Sequence, residues 1–321
     1  MSEISISIRS FVEGQDERTW IELFNTFYGH YYRPDFEPFD RRDVEWFKRT
    51  PWWRESRLFI ADLSKKPAGF ILSSINKARK SPKGYIWQFA VKPELEGSEV
   101  DKRLLKHAIT WLLSASAKAV QASARDNMEK RISLYRLMKF KLIRSYSTMR
   151  LKPEEIPNNI RTCREVELRI VNPLKDNEDL KVLSSIHNKA FQEHFDFRPE
   201  TLEETRAWFE DEGYEDYVVI AWFNDIPVGY VIATISDKPS GNRPKRGFIS
   251  SIGVLKPYRR RKIGTTLILE AVKWLISKGA KLIELSVDDK NPTGAPAFYT
   301  TIGFRTAFKT LTFIKKLYKV F

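Results

Sequence analysis

The chain has 321 residues, enough for about two domains, and its 42% hydrophobic and 13% aromatic content excludes a protein that is disordered throughout. A net charge of +14 and a pI of about 9.6 favour an anionic ligand, a nucleic acid or only a basic surface. Cys163 is the single cysteine, which excludes an intramolecular disulfide and a cysteine-based metal site. The four histidines show no metal-ligand spacing, so we expect no bound metal.

The N-terminal stretch MSEISISIRSF lacks the charged-then-apolar layout of a signal peptide. No apolar run approaches the roughly 18 residues of a membrane-spanning helix. We therefore expect a cytoplasmic protein that has no membrane partner.

Residues 31–57, YYRPDFEPFDRRDVEWFKRTPWWRESR, combine basic and aromatic side chains, as proteins that bind single-stranded nucleic acid do. Acidic residues interrupt the basic charge throughout this segment, so it forms no continuous basic stripe. We predict that its aromatic rings fill a core or an inter-domain face, and we do not expect a nucleic acid as partner.

Alternating and continuous apolar runs predict strands in the first half of the chain. They are RLFIADL (57–63), AGFILSSI (68–75), GYIWQFAV (84–91) and AVQASAR (119–125). Before the last of them, VDKRLLKHAITWLL (100–113) has the apolar spacing of one helix face.

The middle of the chain, LKPEEIPNNIRTCREVELRI, is punctuated by prolines and asparagines, as a linker is. The sequence thus predicts a first domain over 1–152, a linker over 153–162 and a second domain over 163–321.

The second half again alternates strands and helices, which indicates a mixed α/β fold. Thr201 is followed three residues later by Glu204, a capping-box signature of a short helix. The stretch YVVIAWFNDIPVGYVIATI (217–235) predicts a hairpin. The other predicted strands are 166–171, 247–254, 281–287 and 308–317, and the other predicted helices are 177–194, 263–276 and 293–304.

The two halves repeat one another. The helix 100–113 matches IGTTLILEAVKWLI (263–276) in its apolar positions and in its tryptophan, with 274 − 111 = 163. Downstream, Asn127, Tyr135 and Phe140 recur as Asn291, Tyr299 and Phe304, with 304 − 140 = 164, and Pro93 and Pro257 are also 164 apart. Two slips of one residue are what loop insertions in duplicated domains produce.

The stretch IGVLKPYRRRKIGTTLILEAVKWLI (252–276) concentrates basic residues between a strand and a helix. The first N–H groups of a helix lack internal partners, and the helix dipole adds roughly half a positive charge there. A glycine lets the backbone approach a phosphate, and arginine can bind its oxygens with two hydrogen bonds. The turn therefore predicts an anion site, and a solvated basic turn is the alternative.

This run resembles the pyrophosphate-binding motif of the GNAT-superfamily N-acetyltransferases, in which Arg or Gln, two residues, Gly, one residue and Gly or Ala link a strand to a helix. Arg259 takes the first place and Gly264 the last, whereas Lys262 stands where the first glycine is usual. The resemblance continues in VDDKNPTGAPAFYTTIGF, where the family's Asn, Ala, Tyr and Gly-Phe are matched. These positions are Asn291, Ala295, Tyr299, Gly303 and Phe304.

The resemblance implies two tandem GNAT folds, each a mixed, mostly antiparallel twisted sheet with flanking helices. It implies an N-acetyltransferase that moves an acetyl group from acetyl-CoA to a primary amine of a small molecule or a peptide. The residues that it implies for acetyl-CoA binding are Ile252, Val254, Arg259, Arg260, Arg261, Lys262, Ile263, Gly264, Thr265 and Asn291. It also implies that Tyr299 protonates the leaving thiolate, and a core tyrosine is the alternative.

The general base and the acceptor site are less defined. Ser250 and Ser251 occupy the strand positions where the family often has a glutamate, which leaves a water relay as one option. Glu193 and His194 lie in the region that usually covers the acceptor, and Asp288 and Asp289 could face a cationic acceptor.

The first half carries carboxylates where the second half carries basic residues and glycine. With the helix register fixed, Glu96 is opposite Arg259, Glu99 opposite Lys262 and Asp101 opposite Gly264. Like charges a few ångströms apart repel by on the order of 1 kcal/mol even in water. We therefore predict a degenerate first domain, in which Tyr135 only packs, and chemistry in the second domain.

Two other classes remain as alternatives. A noncatalytic acyl-CoA sensor could use the same fold, and acetyl-CoA turnover would separate it from an enzyme. A basic nucleic-acid-binding protein would instead show salt-sensitive binding to oligonucleotides. Whether the chain forms a homodimer is left open by the sequence.

Overall fold

The computed structural model describes residues 5–34, 36–211, 213–238 and 243–318. The chain folds into two compact units, which we call unit 1 and unit 2. Unit 1 contains the chain up to Ser145 and again from Thr310 onward, and unit 2 contains Tyr146–Lys309.

Unit 1 is a mixed sheet with helices. Its elements are β1 (Ile6–Ser10), α1 (Glu17–Tyr32), α2 (Arg41–Arg49), α3 (Pro51–Arg54), β2 (Ser56–Leu63), β3 (Lys66–Asn76), β4 (Lys83–Val91), α4 (Glu99–Ser114), β5 (Ala119–Arg125) and α5 (Glu129–Leu137). Strands β1 to β5 lie in chain order, and the last strand of the chain, β12 (Arg305–Lys316), pairs with β5 through residues 310–316. The β4–β5 pair is parallel and the other pairs are antiparallel.

Several aromatic residues of the segment 31–57 and of α1 belong to the core of unit 1. Trp20 and Val44 are fully buried, and Phe27 and Phe39 are nearly so. The Trp20 ring stacks on Trp53 with 5.8 Å between centroids. The prediction of a core role is thus confirmed for Phe39, Phe47 and Trp53 of the segment.

Unit 2 repeats this plan. Its elements are the second part of β6 (Lys141–Leu151), β7 (Glu167–Val171), α6 (Asn177–Phe191), α7 (Leu202–Ala207), β8 (Tyr214–Phe223), β9 (Ile226–Ser236), β10 (Arg246–Val254), α8 (Ile263–Ser277), β11 (Leu282–Asp288) and α9 (Ala295–Ile302), with the start of β12. The strand order is β6-β11-β10-β9-β8-β7. Here the β10–β11 pair is parallel and the other pairs are antiparallel.

Local sequence signals explain several boundaries in unit 2. The Thr201 hydroxyl accepts from the Glu204 N–H and the Glu204 carboxylate accepts from the Thr201 N–H, the predicted capping box at the start of α7. Asn224 and Asp225 turn the β8–β9 hairpin with positive φ angles of 48° and 58°. The fold class is as predicted, because each unit contains mixed, mostly antiparallel strands with flanking helices.

The compact units and the predicted boundaries differ at two strands. The predicted first domain includes β6, but Tyr146–Leu151 pair with β11 in unit 2. The predicted second domain includes β12, but Thr310–Lys316 pair with β5 in unit 1. The last strand of each repeat thus completes the sheet of the other repeat, which the local pattern of neither strand specifies.

Within the described part of the chain, no helix has the length and apolar character that a membrane span requires.

Candidate functional site

The site lies where β10 and β11 of unit 2 separate. The two strands pair only at Arg246–Phe248 with residues 282–284, although both continue further. A bulge between Ile249 and Ser251 bends β10 at the same point and leaves Ser250 without a partner in β9. A cavity of about 440 Å³ opens here, lined by both strands, by the basic loop and by the start of α8.

The basic loop contains two residues in the left-handed conformation and leads directly into α8. Arg260 and Lys262 have left-handed φ angles of 65° and 66°, and α8 begins at the next residue, Ile263. No side chain caps the start of α8, and its first turn carries no acidic residue. Lys262 therefore adopts a conformation that glycine takes more readily, while the helix N–H groups stay open to an anion.

Arg259 anchors the loop. Its guanidinium donates to the carbonyl oxygens of Val254 at 3.0 Å and Ala190 at 2.9 Å, and to the Glu193 carboxylate at 2.9 Å. Glu193 also accepts from Lys256 at 2.7 Å, and these two cations lower its pKa, Lys256 most. Arg259 thus ties the loop to the end of α6.

Most of the predicted cofactor residues surround one cavity. Arg261 does not line it, and its guanidinium lies over the rings of Phe223 and Tyr258, 5.5 and 5.8 Å from their centroids. The predicted residues that line the cavity are Ile252, Val254, Arg259, Arg260, Lys262, Ile263, Gly264, Thr265, Asn291 and Tyr299.

The cavity fits a phosphate-bearing ligand at Gly264. A Cβ atom at this residue would meet only Phe298 at 3.7 Å and Val254 at 3.8 Å, which are ordinary contacts. Packing within the protein therefore does not demand glycine here, whereas close approach of a ligand to the helix start would. Gly253 differs, because a Cβ atom there would lie 2.9 Å from the Tyr230 ring.

Tyr299 lines this cavity. The side chain is 8% exposed, and burial raises its pKa to about 12. Its ring contacts Phe298 and Phe304, and the hydroxyl forms no hydrogen bond to another residue in the described part of the chain. The phenol therefore stays protonated across the neutral range.

The predicted acceptor residues separate into two groups. His194 and Asp288 line the cavity, and the pKa of His194 is lowered by burial and then by the charge of Arg259. Glu193 binds the basic loop, and Asp289 accepts from Ser147 at 2.6 Å and Lys309 at 2.8 Å.

Several lining residues carried no sequence signal. They are Tyr146, Phe191, Ser286 and Phe298. Tyr146 comes from β6, so only the pairing of β6 with β11 brings it to the site.

Two chains of hydrogen-bonded side chains lead away from the cavity. Ser250 donates to Thr234 at 2.7 Å, and Thr234 donates to the Asp216 carboxylate at 2.7 Å. The hydroxyls of Ser251 and Tyr230 lie 2.5 Å apart, and the Tyr230 hydroxyl lies 2.8 Å from Nδ1 of His187.

Unit 1 contains the matching opening. Strands β4 and β5 pair only at Lys83–Ile86 with residues 119–122 and then part. Gly84 and Gly247 both lie against a leucine of the following helix and are 247 − 84 = 163 apart. The short turns that follow the two strands, Pro93–Leu95 and Lys256–Tyr258, are also 163 positions apart in the chain. The predicted one-residue slip between these turns, based on Pro93 and Pro257, is therefore wrong. The spacing of 163 holds without interruption from the strand through the turn to the helix.

In unit 1 the positions that correspond to lining residues are bonded to one another. Arg131 donates to the carbonyl oxygen of Phe89 at 2.7 Å and to the Asp101 carboxylate at 3.3 Å. The Arg131 and Asp101 side chains are 2% and 0% exposed. The Asp101 carboxylate also accepts from the N–H of Gly97 at 2.7 Å. The Asp101 carboxylate thus takes the hydrogen bond of a loop N–H group that a bound anion would otherwise accept.

In unit 2, the space that the Asp101–Arg131 ion pair fills in unit 1 is part of the cavity. By the 163 and 164 spacings, Phe89 matches Ile252, Asp101 matches Gly264 and Arg131 matches Ala295, all three of which line the cavity.

The other predicted carboxylates of unit 1 have different roles. Glu96 is buried and accepts from the Tyr31 hydroxyl at 2.5 Å, and burial raises its pKa. Glu99 is exposed and pairs with Lys102 at 2.8 Å. Tyr135 is 1% exposed and donates to the Ser123 carbonyl oxygen at 3.4 Å, so its hydroxyl is already bonded within the core.

The acetyltransferase (GNAT) family model matches the chain twice, at residues 20–140 and 180–304, which together span well over half of it. The chain therefore belongs to the GNAT acetyltransferase family and carries two GNAT domains in tandem. A tandem GNAT protein from the clavulanic acid biosynthesis pathway, solved without acetyl-CoA, has the same fold. It superposes with a TM-score of 0.76 at 14% identity over 97% of this chain and 98% of that one.

Sequence relatives match shorter stretches. A mycothiol acetyltransferase of Pseudarthrobacter chlorophenolicus is 26% identical over 138 residues, which is 42% of this chain and 42% of that protein. The N-alpha-acetyltransferase MAK3 of Arabidopsis thaliana is 33% identical over 93 residues, which is 27% of this chain and 48% of that protein. The matches thus span less than half the length of these relatives.

Proposed function

We propose that the protein transfers an acetyl group from acetyl-CoA to a primary amine of a small molecule or a peptide, and that the chemistry takes place in unit 2. One observation carries this proposal. The cavity between β10 and β11 is open at Gly264 and Ala295, while the matching positions in unit 1 are joined by the buried Asp101–Arg131 ion pair.

In this proposal the loop and the start of α8 hold the pyrophosphate of acetyl-CoA. The N–H groups at the helix start are open, and Arg260 and Lys262 add positive charge at the cavity. Arg259 acts mainly by holding the loop in shape, because its guanidinium already binds two carbonyl oxygens and Glu193.

The diverging strands would then place the thioester near Tyr299. The amine forms the new C–N bond at the thioester carbonyl carbon, the C–S bond breaks, and the thiolate takes a proton. Tyr299 lines the cavity and its hydroxyl is protonated at neutral pH, which suits a proton donor.

The proposal defines the acceptor only as a primary amine. The names of the matched relatives point to different acceptors, and Asp288 is the lining carboxylate that suits a cationic amine. Unit 1 binds no acetyl-CoA of its own in this proposal.

Calorimetry with acetyl-CoA, together with release of free thiol, tests the proposal. We expect a single acetyl-CoA per chain, and thiol release that depends on an amine from a panel of an amino sugar, an aminoglycoside, a polyamine and a peptide with a free N-terminus. Binding without turnover on any amine would instead favour the acyl-CoA sensor. A second acetyl-CoA in unit 1 would refute the assignment of the working site to unit 2 alone.

A further inference from the structure

Ser250 is the first member of a chain of hydroxyls that ends in a half-buried carboxylate. It is the bulge residue of β10, it is exposed, and it lines the cavity. Its Oγ donates to Thr234 Oγ1 at 2.7 Å, and Thr234 donates to Asp216 Oδ1 at 2.7 Å. Thr234 and Asp216 are direct cross-strand partners on β9 and β8, so the sheet itself fixes the second link.

We propose that Ser250, Thr234 and Asp216 form a proton relay that takes a proton from the acceptor amine during acetyl transfer. The inference rests on the proposed function. Each hydroxyl in the chain donates towards Asp216, which is the direction that proton transfer out of the cavity requires. Both links have the usual length of hydrogen bonds between hydroxyl or carboxylate oxygens.

With this relay, every proton that is released during the reaction has an acceptor. One N–H proton of the acceptor ammonium passes to Ser250 Oγ while the Ser250 proton passes to Thr234 and the Thr234 proton passes to Asp216. The neutral amine then forms the C–N bond at the thioester carbon. As the C–S bond breaks, the remaining proton of the adduct passes to the CoA thiolate by way of Tyr299 or solvent. Asp216 afterwards returns its proton to solvent.

The surroundings of Asp216 suit a base that works near neutral pH. Burial raises its pKa to about 6, the bond from Thr234 opposes this increase, and the charge of Asp211 adds to it. The neighbours on β9 and β10 are the neutral hydroxyls of Thr234 and Ser250. Among the described residues, Asp216 has no ion-pair partner, and Glu215 beside it pairs with Lys278. An ideal general base has a pKa near the working pH.

The second chain ends in a poorer acceptor. Burial lowers the pKa of His187 to about 4, with a smaller effect from His194, so the imidazole takes up a proton only in acid. The intervening Tyr230 is fully buried, and burial raises its pKa. This chain connects Ser251 to the core below α6 without a base suited to neutral pH, and His187 therefore provides a control.

The test is the pH profile of kcat/KM, measured with acetyl-CoA and the fastest amine of the panel. The carboxylate form of Asp216 accepts the proton, so the wild-type rate should rise as the pH increases through about 6 and then level off. Asp216→Asn should lose this acid limb and lower the plateau rate by about 10²–10⁴-fold, the usual contribution of general acid–base catalysis. Thr234→Val should act in the same way, and Thr234→Ser should restore the limb, because it restores the hydroxyl.

Control measurements separate the relay from structural damage and from the proposed function. His187→Gln should keep the acid limb, and acetyl-CoA affinity by calorimetry should be the same in all variants that fold. An unchanged limb in both Asp216→Asn and Thr234→Val would overturn the relay while acetyl transfer stands. If Asp216→Asn no longer binds acetyl-CoA, the acid limb of the pH profile of Thr234→Val alone decides whether the relay exists. A wild-type chain that turns over no amine would overturn the acetyl transfer and the relay together.

Discussion

The role of Tyr299 can be tested by removing one oxygen atom. Tyr299→Phe keeps the ring, which contacts Phe298 and Phe304 at centroid distances of 5.2 and 6.0 Å. Tyr135→Phe makes the same change at the matching position of unit 1. The two residues differ in their surroundings, since Tyr299 lines the cavity whereas the Tyr135 hydroxyl donates to the Ser123 carbonyl oxygen at 3.4 Å.

The expected magnitudes follow from these surroundings. Tyr299→Phe breaks no hydrogen bond within the described part of the chain, so the free energy of unfolding should change by less than about 0.5 kcal/mol. Its kcat should fall by about 10–10³-fold, because general acid catalysis supplies typically 10²–10⁴ and water can replace part of it. Tyr135→Phe loses the long hydrogen bond to Ser123 and an interaction with the buried Arg131 guanidinium, and it should cost about 1 kcal/mol of stability. Its kcat should stay at the wild-type value.

Steady-state thiol release gives kcat, calorimetry gives acetyl-CoA affinity, and denaturant titration gives stability. Acetyl-CoA affinity should be nearly unchanged in both variants. Loss of kcat in Tyr135→Phe with a silent Tyr299→Phe would show that the working site is in unit 1. If both variants were silent, the proton would come from water and the role of Tyr299 would be refuted.

Two further outcomes are expected. Asp101→Asn in unit 1 leaves the Arg131 guanidinium buried without its counter-ion, so denaturant titration should show a loss of about 3–5 kcal/mol, whereas an equally stable variant would refute a paired role. Arg259→Ala should weaken acetyl-CoA binding by about tenfold or more, because the loop loses the hydrogen bonds that hold it in its binding shape, and a bond from a charged donor contributes roughly 1.5–3 kcal/mol. Arg261→Ala, whose guanidinium lies over Phe223 and Tyr258, should leave the affinity nearly unchanged, and equal losses in both variants would contradict the anchor role of Arg259.

Much of the site could be predicted because its signals are local in the chain. The start of α8 depends on the run from Arg259 to Gly264, and the helix itself on apolar residues at helical spacing. The end of α9 depends on Gly303, whose φ of 110° an L-residue rarely adopts. The family resemblance of these stretches was therefore enough to predict that Tyr299 and Asn291 belong to the same site as the basic loop.

The sequence also determined that the chain is a duplication, since helix periodicity and the Asn, Tyr and Phe spacing recur in both halves. It pointed to weak anion binding in the first copy through the charge of Glu96, Glu99 and Asp101. It could not state what these carboxylates do, because that depends on partners elsewhere in the chain. Asp101 meets Arg131, Glu96 meets Tyr31, and Glu99 reaches solvent and Lys102.

Only the tertiary structure decided which strands complete each sheet and which side chains meet beyond the cavity. Nothing in the local sequence of β6 or β12 specifies which sheet it joins, so the exchange that brings Tyr146 to the cavity is decided by pairing and not by local propensity. The Ser250–Thr234–Asp216 chain likewise spans three strands. Its members are ordinary polar residues in the sequence, and cross-strand register together with one bulge aligns their hydrogen bonds.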